Sequence, residues 1–476
     1  MARYPGFIGP SYTLPDKLAA YDQVVNWYPV KVESGTGPAE YVYEPAPGFD
    51  EYVELPEAPY RGAFTINGAT FAVGGENLYE VTSINTAILR ATGLSNLNNQ
   101  LVSFASNGDA GHQIAMSSDS TLYCFDVLTN TLTAIADQAS SDVVYQDGFF
   151  VSLDPNTSTI YQSEIVNGLV YDEAAQRNDT PDKWVKMLAR PKEIWLFGSA
   201  STSVYYNAAA SDSSAAAGFV FIPNPSVAIP YGTAAPESPA LVNGSPAWLA
   251  HDLSVRYGNG YTAQRISTHA VEYAIRSYST VLDAEGSTSY DEQGHQFYVL
   301  SFPTAGATWV FDLTSGLWHE RTGSDGGAID VWGHTYAFGK HLVGDRVSGM
   351  IYEMSQAFAT HTDGVSGLRR VRRAPHLVKE LKRATYSWFQ LHMEVGLGLS
   401  SGQGSDPLAM LRWSNDGGQT WSNVLNASAG PIGAYAQRVA WRRLGSARDR
   451  VFEVSVSDPI PWRLVDAYLE LEVGTS

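Results

Sequence analysis

Seven cationic side chains crowd into one short run, GLRRVRRAPHLVKELKR: Arg369, Arg370, Arg372, Arg373, Lys379, Lys382 and Arg383. Guanidinium and ammonium groups at this density neutralise phosphates, so the run is a candidate contact for a DNA backbone or an acidic partner. A solvated linker between domains would show the same composition. Further on, Ser414-Asn415-Asp416-Gly417-Gly418-Gln419-Thr420-Trp421 has the spacing of a hairpin turn. In it Asp416 accepts backbone N–H groups, Gly418 supplies a positive φ and Trp421 packs beneath. That is a structural device and carries no reacting group. His334 and His341 fall across one predicted hairpin and can face each other. A hydrogen-bonded pair accounts for them better than zinc, which needs further ligands.

Other chemistry is missing from the sequence. There is no HExxH, GxSxG or GxGxxG. The stretch Gly333 to His341 approaches a phosphate loop, but it has one intervening residue too many and a histidine where magnesium needs Ser or Thr. Cys124 is the single cysteine, so no internal disulfide can form, and its place between Tyr123 and Phe125 reads as a buried thiol. Neither a metal nor a cofactor is expected, and the chain is not expected to be an enzyme. The formal net charge is −19, which argues against a general nucleic-acid surface. From Val365 onward 14 Lys+Arg face 10 Asp+Glu, a balance of +4, which leaves −23 for residues 1–364. This break in charge marks a domain boundary near residue 365. No segment has the apolar length of a signal peptide or a membrane span, so the expectation is a protein made in a cytoplasm and without a membrane partner.

The elements that must position these groups are strands. Phe64 to Val81, FTINGATFAVGGENLYEV, reads as three short strands separated by Asn-Gly and Gly-Gly turns. Seven hairpins of this grammar recur. Their reference aromatics, Tyr79, Tyr123, Tyr161, Tyr205, Tyr257, Trp309 and Tyr352, step by 44, 38, 44, 52, 52 and 43 residues. That period in an all-β chain predicts a β-propeller rather than a sandwich of unrelated hairpins. Six blades are favoured, with the surplus pair outside the ring, and seven are possible; seven hairpins need not make seven blades, because a long insertion or the N-terminal strand pair can complete one sheet across the closure.

In chain order, residues 1–60 are predicted as an extended arm followed by a strand pair, Val24–Val32 with Tyr41–Tyr43 around Gly35–Gly37. Such an arm is either disordered or laid on a partner. Residues 61–364 form the propeller, with long connections at 166–192 and 208–245 and one helix, Ser267–Tyr278, behind a Ser267/Thr268 cap. Residues 365–383 form the basic linker. Residues 384–476 hold five strong strands, enough for a small β-sandwich.

Asn26-Trp27-Tyr28-Pro29 with Glu33-Ser34-Gly35, Pro47-Gly48-Phe49, Arg61-Gly62 and Leu78-Tyr79-Glu80-Val81 resembles the opening of the packaged-DNA stabilisation proteins of short-tailed bacteriophages, the tail hub or nozzle proteins. The likeness continues at Asp182-Lys183-Trp184-Val185, Glu193 to Gly198, Gly260-Tyr261, Arg265 to Glu272 and the region from Gly433 to Pro459. The resemblance implies a structural virion protein in the tail: a six-fold homo-oligomeric ring below the portal or adaptor, with fibre, spike or plug proteins on or beneath it. Double-stranded DNA would be retained by the ring and later pass through its lumen, where acidic walls keep the duplex from sticking. A second reading is a carbohydrate-binding or sialidase-like glycosidase propeller, because the Asp416 turn matches the Asp box, S-x-D-x-G-x-T-W, of such enzymes. That reading needs arginines clustered on the propeller axis.

Overall fold

Runs of β-branched and aromatic residues closed by tight turns fold into antiparallel meanders. The computed structural model describes residues 2–34, 39–171, 173–176, 182–208 and 219–474. In the first blade Tyr60–Ile66, Ala69–Gly74, Asn77–Ser83 and Thr86–Thr92 lie side by side in sequence order. Asn67 and Gly68, at φ 52° and 81°, form the two-residue turn whose twist matches its flanking strands. Four more blades follow within 103–139, 142–176, 184–223 and 240–265.

A sixth self-contained blade closes the ring. Val331–Ala337, Lys340–Asp345 and Met350–Ser355 take their fourth, outermost strand from the other end of the chain, Gly48–Glu54. The architecture is thus a propeller of six free-standing four-stranded blades, together with a seventh meander, Tyr290 to Arg321, that the ring shares with the C-terminal domain. This shared meander packs on the fifth blade through Tyr298, Leu300 and Trp309, and on the closing blade through Phe297, Val299 and Val310. All seven reference aromatics lie on the third strand of their meander. The helix, His269–Arg276, is capped by Thr268, whose hydroxyl accepts from Val271 N at 3.3 Å, and it buries Val271 and Ile275 against the fifth blade.

The C-terminal domain is a β-sandwich built from both ends of the chain. One sheet orders Val439–Arg442, Ala384–Met393, Leu464–Val473, Tyr41–Pro45 and Trp27–Lys31, with Ala2–Arg3 and Ser446–Ala447 at its flanks. Along Ala384–Met393 the inward set steps from Tyr386 to Phe389 instead of Tyr386 to Trp388, because a register shift there resets the two-residue period. The other sheet continues the shared meander through Tyr21–Val25, Arg370–Arg373, Asp449–Val456, Leu408–Ser414 and Leu425–Ser428. Tyr4, Phe7, Trp27, Tyr43, Phe389, Trp441, Phe452 and Trp462 fill the space between them.

The expected boundaries at 60, 365 and 384 therefore do not divide these units, because sheet membership crosses all three. The arm is not free: Tyr4 and Phe7 are buried in the sandwich of their own chain. Residues 365–383 are no linker, since Arg370–Arg373 is an interior strand of the larger sheet. The turn expected at Gly35–Gly37 lies outside the described residues, as do 172, 177–181 and 209–218 of the two long connections. No described helix is long and apolar enough to cross a membrane.

Candidate functional site

The basic run divides by the two-residue period of its strand. Arg370 and Arg372 point inward and are almost wholly buried. Arg372 clamps the N-terminal arm, donating from Nε to Phe7 O at 2.5 Å and from Nη2 to Gly6 O at 2.9 Å and Asp22 at 3.3 Å. Arg370 donates from Nη1 to Leu368 O at 3.3 Å. Burial, and then the nearby Arg321, depress its guanidinium to about 9. Neither arginine can touch DNA or an acidic partner, which corrects that part of the expectation: a strand interior spends every second side chain on the core.

The outward side chains enter a cleft of about 350 Å³ between propeller and sandwich, lined by Arg369, Arg373, Arg412, Glu453, His361 and the turn Thr322 to Gly326 among others. Glu453, itself buried, accepts from Arg373 at 2.8 and 3.0 Å and from Arg412 at 2.7 Å. Arg369 is exposed at the cleft. Burial pushes His361 down to about 4, so its ring is neutral. Lys379, Lys382 and Arg383 sit elsewhere. Val378 pairs with Asp449 at one end of Asp449–Val456 while Arg370 pairs with Val456 at the other, roughly 20–25 Å away at strand spacing. There Lys382 pairs with Glu380 at 2.7 Å and Arg383 donates to Ser446 at 2.9 Å. Seven neighbours in sequence thus occupy three separate places.

The Asp416 turn is built as its spacing requires. Asp416 accepts from Gln419 N at 3.0 Å and Thr420 N at 2.9 Å, and hydrogen bonds from Thr420 and Ser414 hold its carboxyl down near 2. Gly418 has φ 88°. Trp421 receives the guanidinium of Arg412 at 4.5 Å and that of Arg373 at 5.3 Å, and Tyr21 lies 6.5 Å from it. Arg412, Glu453 and Tyr21 were not singled out from the sequence. Their meeting depends on pairings between distant strands, and no local signal announces it.

The inner strands of the propeller converge on an axial cavity of about 190 Å³, lined by Gly62, Ser103, Ser141, Lys186, Glu237, Ser287 and His334 among others. Lys186 bridges Glu237 at 3.0 Å and the buried Asp142 at 3.7 Å. Burial alone would depress its ammonium, but the two carboxylates more than reverse this and hold it above its ordinary value. His334 Nε2 and His341 Nδ1 lie 2.9 Å apart; burial, then His341, lowers His334 to about 3, so its ring is neutral, and burial lowers His341 as well. Among the described residues no cluster has the ligands to hold a metal.

A family model described as "Bacteriophage P22 Gp10, beta-propeller" matches residues 20–359, and one described as "Bacteriophage P22 Gp10, beta-sandwich" matches residues 369–472. The chain belongs to the phage Gp10 family. As a Gp10-family chain it is a packaged-DNA stabilisation protein and a structural component of the virion. No curated protein matches it. Solved structures similar to it include the WD40 beta propeller domain of Doa1, at TM-score 0.42 and 10% identity over 65% of this chain and 97% of that one. A computationally designed protein, Ika8, aligns at TM-score 0.37 and 11% identity over 64% and 99%. The extracellular domain of a one component system protein from B. thetaiotaomicron aligns at TM-score 0.42 and 9% identity over 65% and 40%.

Proposed function

We propose that this Gp10-family chain is a tail hub, or nozzle, subunit: copies form a hexameric ring below the portal and adaptor, retain the packaged DNA and then form the ejection conduit. Tail fibre, spike or plug proteins bind on or beneath the ring, which is assembled in the host cytoplasm. The reading is carried by the Gp10-family match, which spans propeller and sandwich in one chain. The axial cavity supports a conduit formed between subunits. Its 190 Å³ is the space of about six waters, obstructed by Lys186 and its carboxylates, whereas the major groove of a duplex alone is about 12 Å wide. DNA that passes this protein must pass between copies. The charge of −23 on residues 1–364 suits such a passage, because it repels the phosphate backbone.

The role is non-catalytic. No observation favours the glycosidase alternative: the Asp416 turn lies in the sandwich, and lysine rather than arginine lines the axial cavity among the described residues. The test is to assemble virions without this polypeptide and measure nuclease-sensitive DNA release from filled heads. Heads that keep their genome refute the retention role. An image of the tail with another rotational order refutes the hexamer.

A further inference from the structure

Each of the two sheet systems ends in an outermost strand, and the exposed side chains of the two strands carry opposite charge. The outer edge of the sandwich sheet is formed by Val439–Arg442 and Ser446–Ala447, both paired to Ala384–Met393 and so at the end of the strand order. Arg438, Arg442, Arg443, Arg448 and Arg383 are exposed along it. By register it runs from Leu391 to Ala384 of the strand beneath, roughly 23 Å at strand spacing. None of the five has an ion pair within its own chain among the described residues. Glu470 and Glu472, the carboxylates in register with this edge, lie two strands in. The loop that leads into the edge exposes Ile432 and Tyr435, with relative exposures of 68% and 72%. Arginine and tyrosine on an exposed, aromatic-bearing rim are the composition of protein interfaces.

The second edge is the strand Gly48–Glu54, outermost in the closing blade; Tyr52 O accepts from Asn85 N at 2.8 Å and Phe49 N donates to Thr360 O at 3.0 Å, so this edge presents side chains rather than a free backbone ladder. Asp50, Glu51, Glu54 and the following Glu57 are exposed on it, and none of them has an ion pair among the described residues. Charges on edge strands discourage unwanted pairing of like edges. Here they differ in sign, which discourages basic-to-basic and acidic-to-acidic contact while leaving basic-to-acidic contact open.

We propose that the Arg438–Arg448 edge of the sandwich docks against the Asp50–Glu57 edge of the closing blade in a neighbouring copy. The contact joins two different surfaces and is therefore head-to-tail, the kind that closes into a ring when its rotation permits. It reconciles association with a net charge of −19 per subunit, because each copy presents its basic edge, from the part of the chain with balance +4, to an acidic part of the next. The inference rests on the ring assembly proposed above and specifies its interface.

The test is a charge swap on the full chain, with assembly followed by native mass spectrometry and sedimentation, both alone and on the purified portal and adaptor. Arg438→Glu/Arg442→Glu/Arg443→Glu and, separately, Asp50→Lys/Glu51→Lys/Glu54→Lys are each expected to weaken assembly roughly 100-fold at low salt. The combined six-fold reversal is expected to restore it to within about tenfold. Circular dichroism and the melting temperature certify that each variant folds, since all six positions are exposed. Folded variants that assemble normally overturn the proposal, as does a combined variant that stays dissociated. If the arginine variant loses binding to duplex DNA while assembling normally, the edge serves nucleic acid and the proposal also falls. A wild-type chain that never assembles, even on the portal and adaptor, refutes the ring itself; a wild-type ring with indifferent variants refutes this interface alone.

Discussion

Replacing Phe7 by alanine tests whether the N-terminal arm is part of the sandwich core or a strap laid over it. Phe7 is 1% exposed, and its ring lies 5.5 Å from Tyr4 and 6.1 Å from Phe389. Its backbone oxygen is held by Arg372, so the chain cannot easily retract to fill the void. A phenylalanine truncated at such a site costs about 3–5 kcal/mol. The sandwich with its arm is a unit of roughly 150 residues, for which 1 kcal/mol moves the melting temperature by about 2–4 °C, so the shift should be roughly 6–20 °C. Near-ultraviolet circular dichroism during heating would follow it, because Trp27, Trp441 and Trp462 lie in the same core. Leu18→Ala is the control: it sits in the same arm but is 62% exposed, and should change stability by no more than about 0.5 kcal/mol. If Phe7→Ala and Leu18→Ala cost the same, the arm is not a core element and the reasoning fails.

The sandwich should also grip its arm more tightly in mild acid than in mild base. His376 donates from Nδ1 to Asp449 at 2.8 Å and from Nε2 to Lys17 O at 2.7 Å, which requires the protonated ring; the Asp449 hydrogen bond is the largest cause of its raised pKa. A raised folded pKa gives stability that is complete below the unfolded value of about 6.5 and is lost as pH climbs through the folded one. The urea midpoint of the wild type should therefore fall between about pH 6 and about pH 8 by more than that of His376→Gln. Lys186→Met would leave Asp142 buried beside Met187 N without its cation, at a cost of about 3–5 kcal/mol that chemical denaturation would register. Gly418→Ala should destabilise the sandwich by more than 1 kcal/mol or so, because it forces a side chain to φ 88° and places Cβ 2.1 Å from the Tyr21 ring; a neutral change in melting temperature would contradict the turn geometry.

The propeller was legible because each blade is local. Tyr79, Tyr123 and the other reference aromatics repeat one position in one kind of hairpin, so their spacing exposes the architecture without any long-range pairing. The Asp416 turn was legible for the same reason: its donors and acceptors lie within seven residues of one another. The sandwich was only half legible, since its C-terminal strands alternate visibly but its N-terminal ones depend on pairings such as Tyr43 with Leu464 and Gln23 with Arg373. Arg370 and Arg372 were misread for a related reason. Counting charge over Arg369 to Arg383 ignores the alternation of a strand, which buried Arg370 and Arg372 and left Arg369 facing the cleft. The distinction was hidden until the partners on both sides of that strand were known.

The strand Gly48–Glu54 closes the propeller only after Met350–Ser355 exists, and Ala2–Arg3 finds its place only beside Leu464–Val473. A ribosome moving at about 5–20 residues per second delivers that last strand roughly 20–90 s after the first residues have emerged. Throughout that interval Tyr4, Phe7 and Trp27 wait in water with nothing to cover them. Expression constraints follow directly: early termination and fragments cut at residue 61 or 365 separate the partners of a seam, and the soluble yield of this polypeptide should depend on the strands within 2–54 and 464–473 more than on any blade between them.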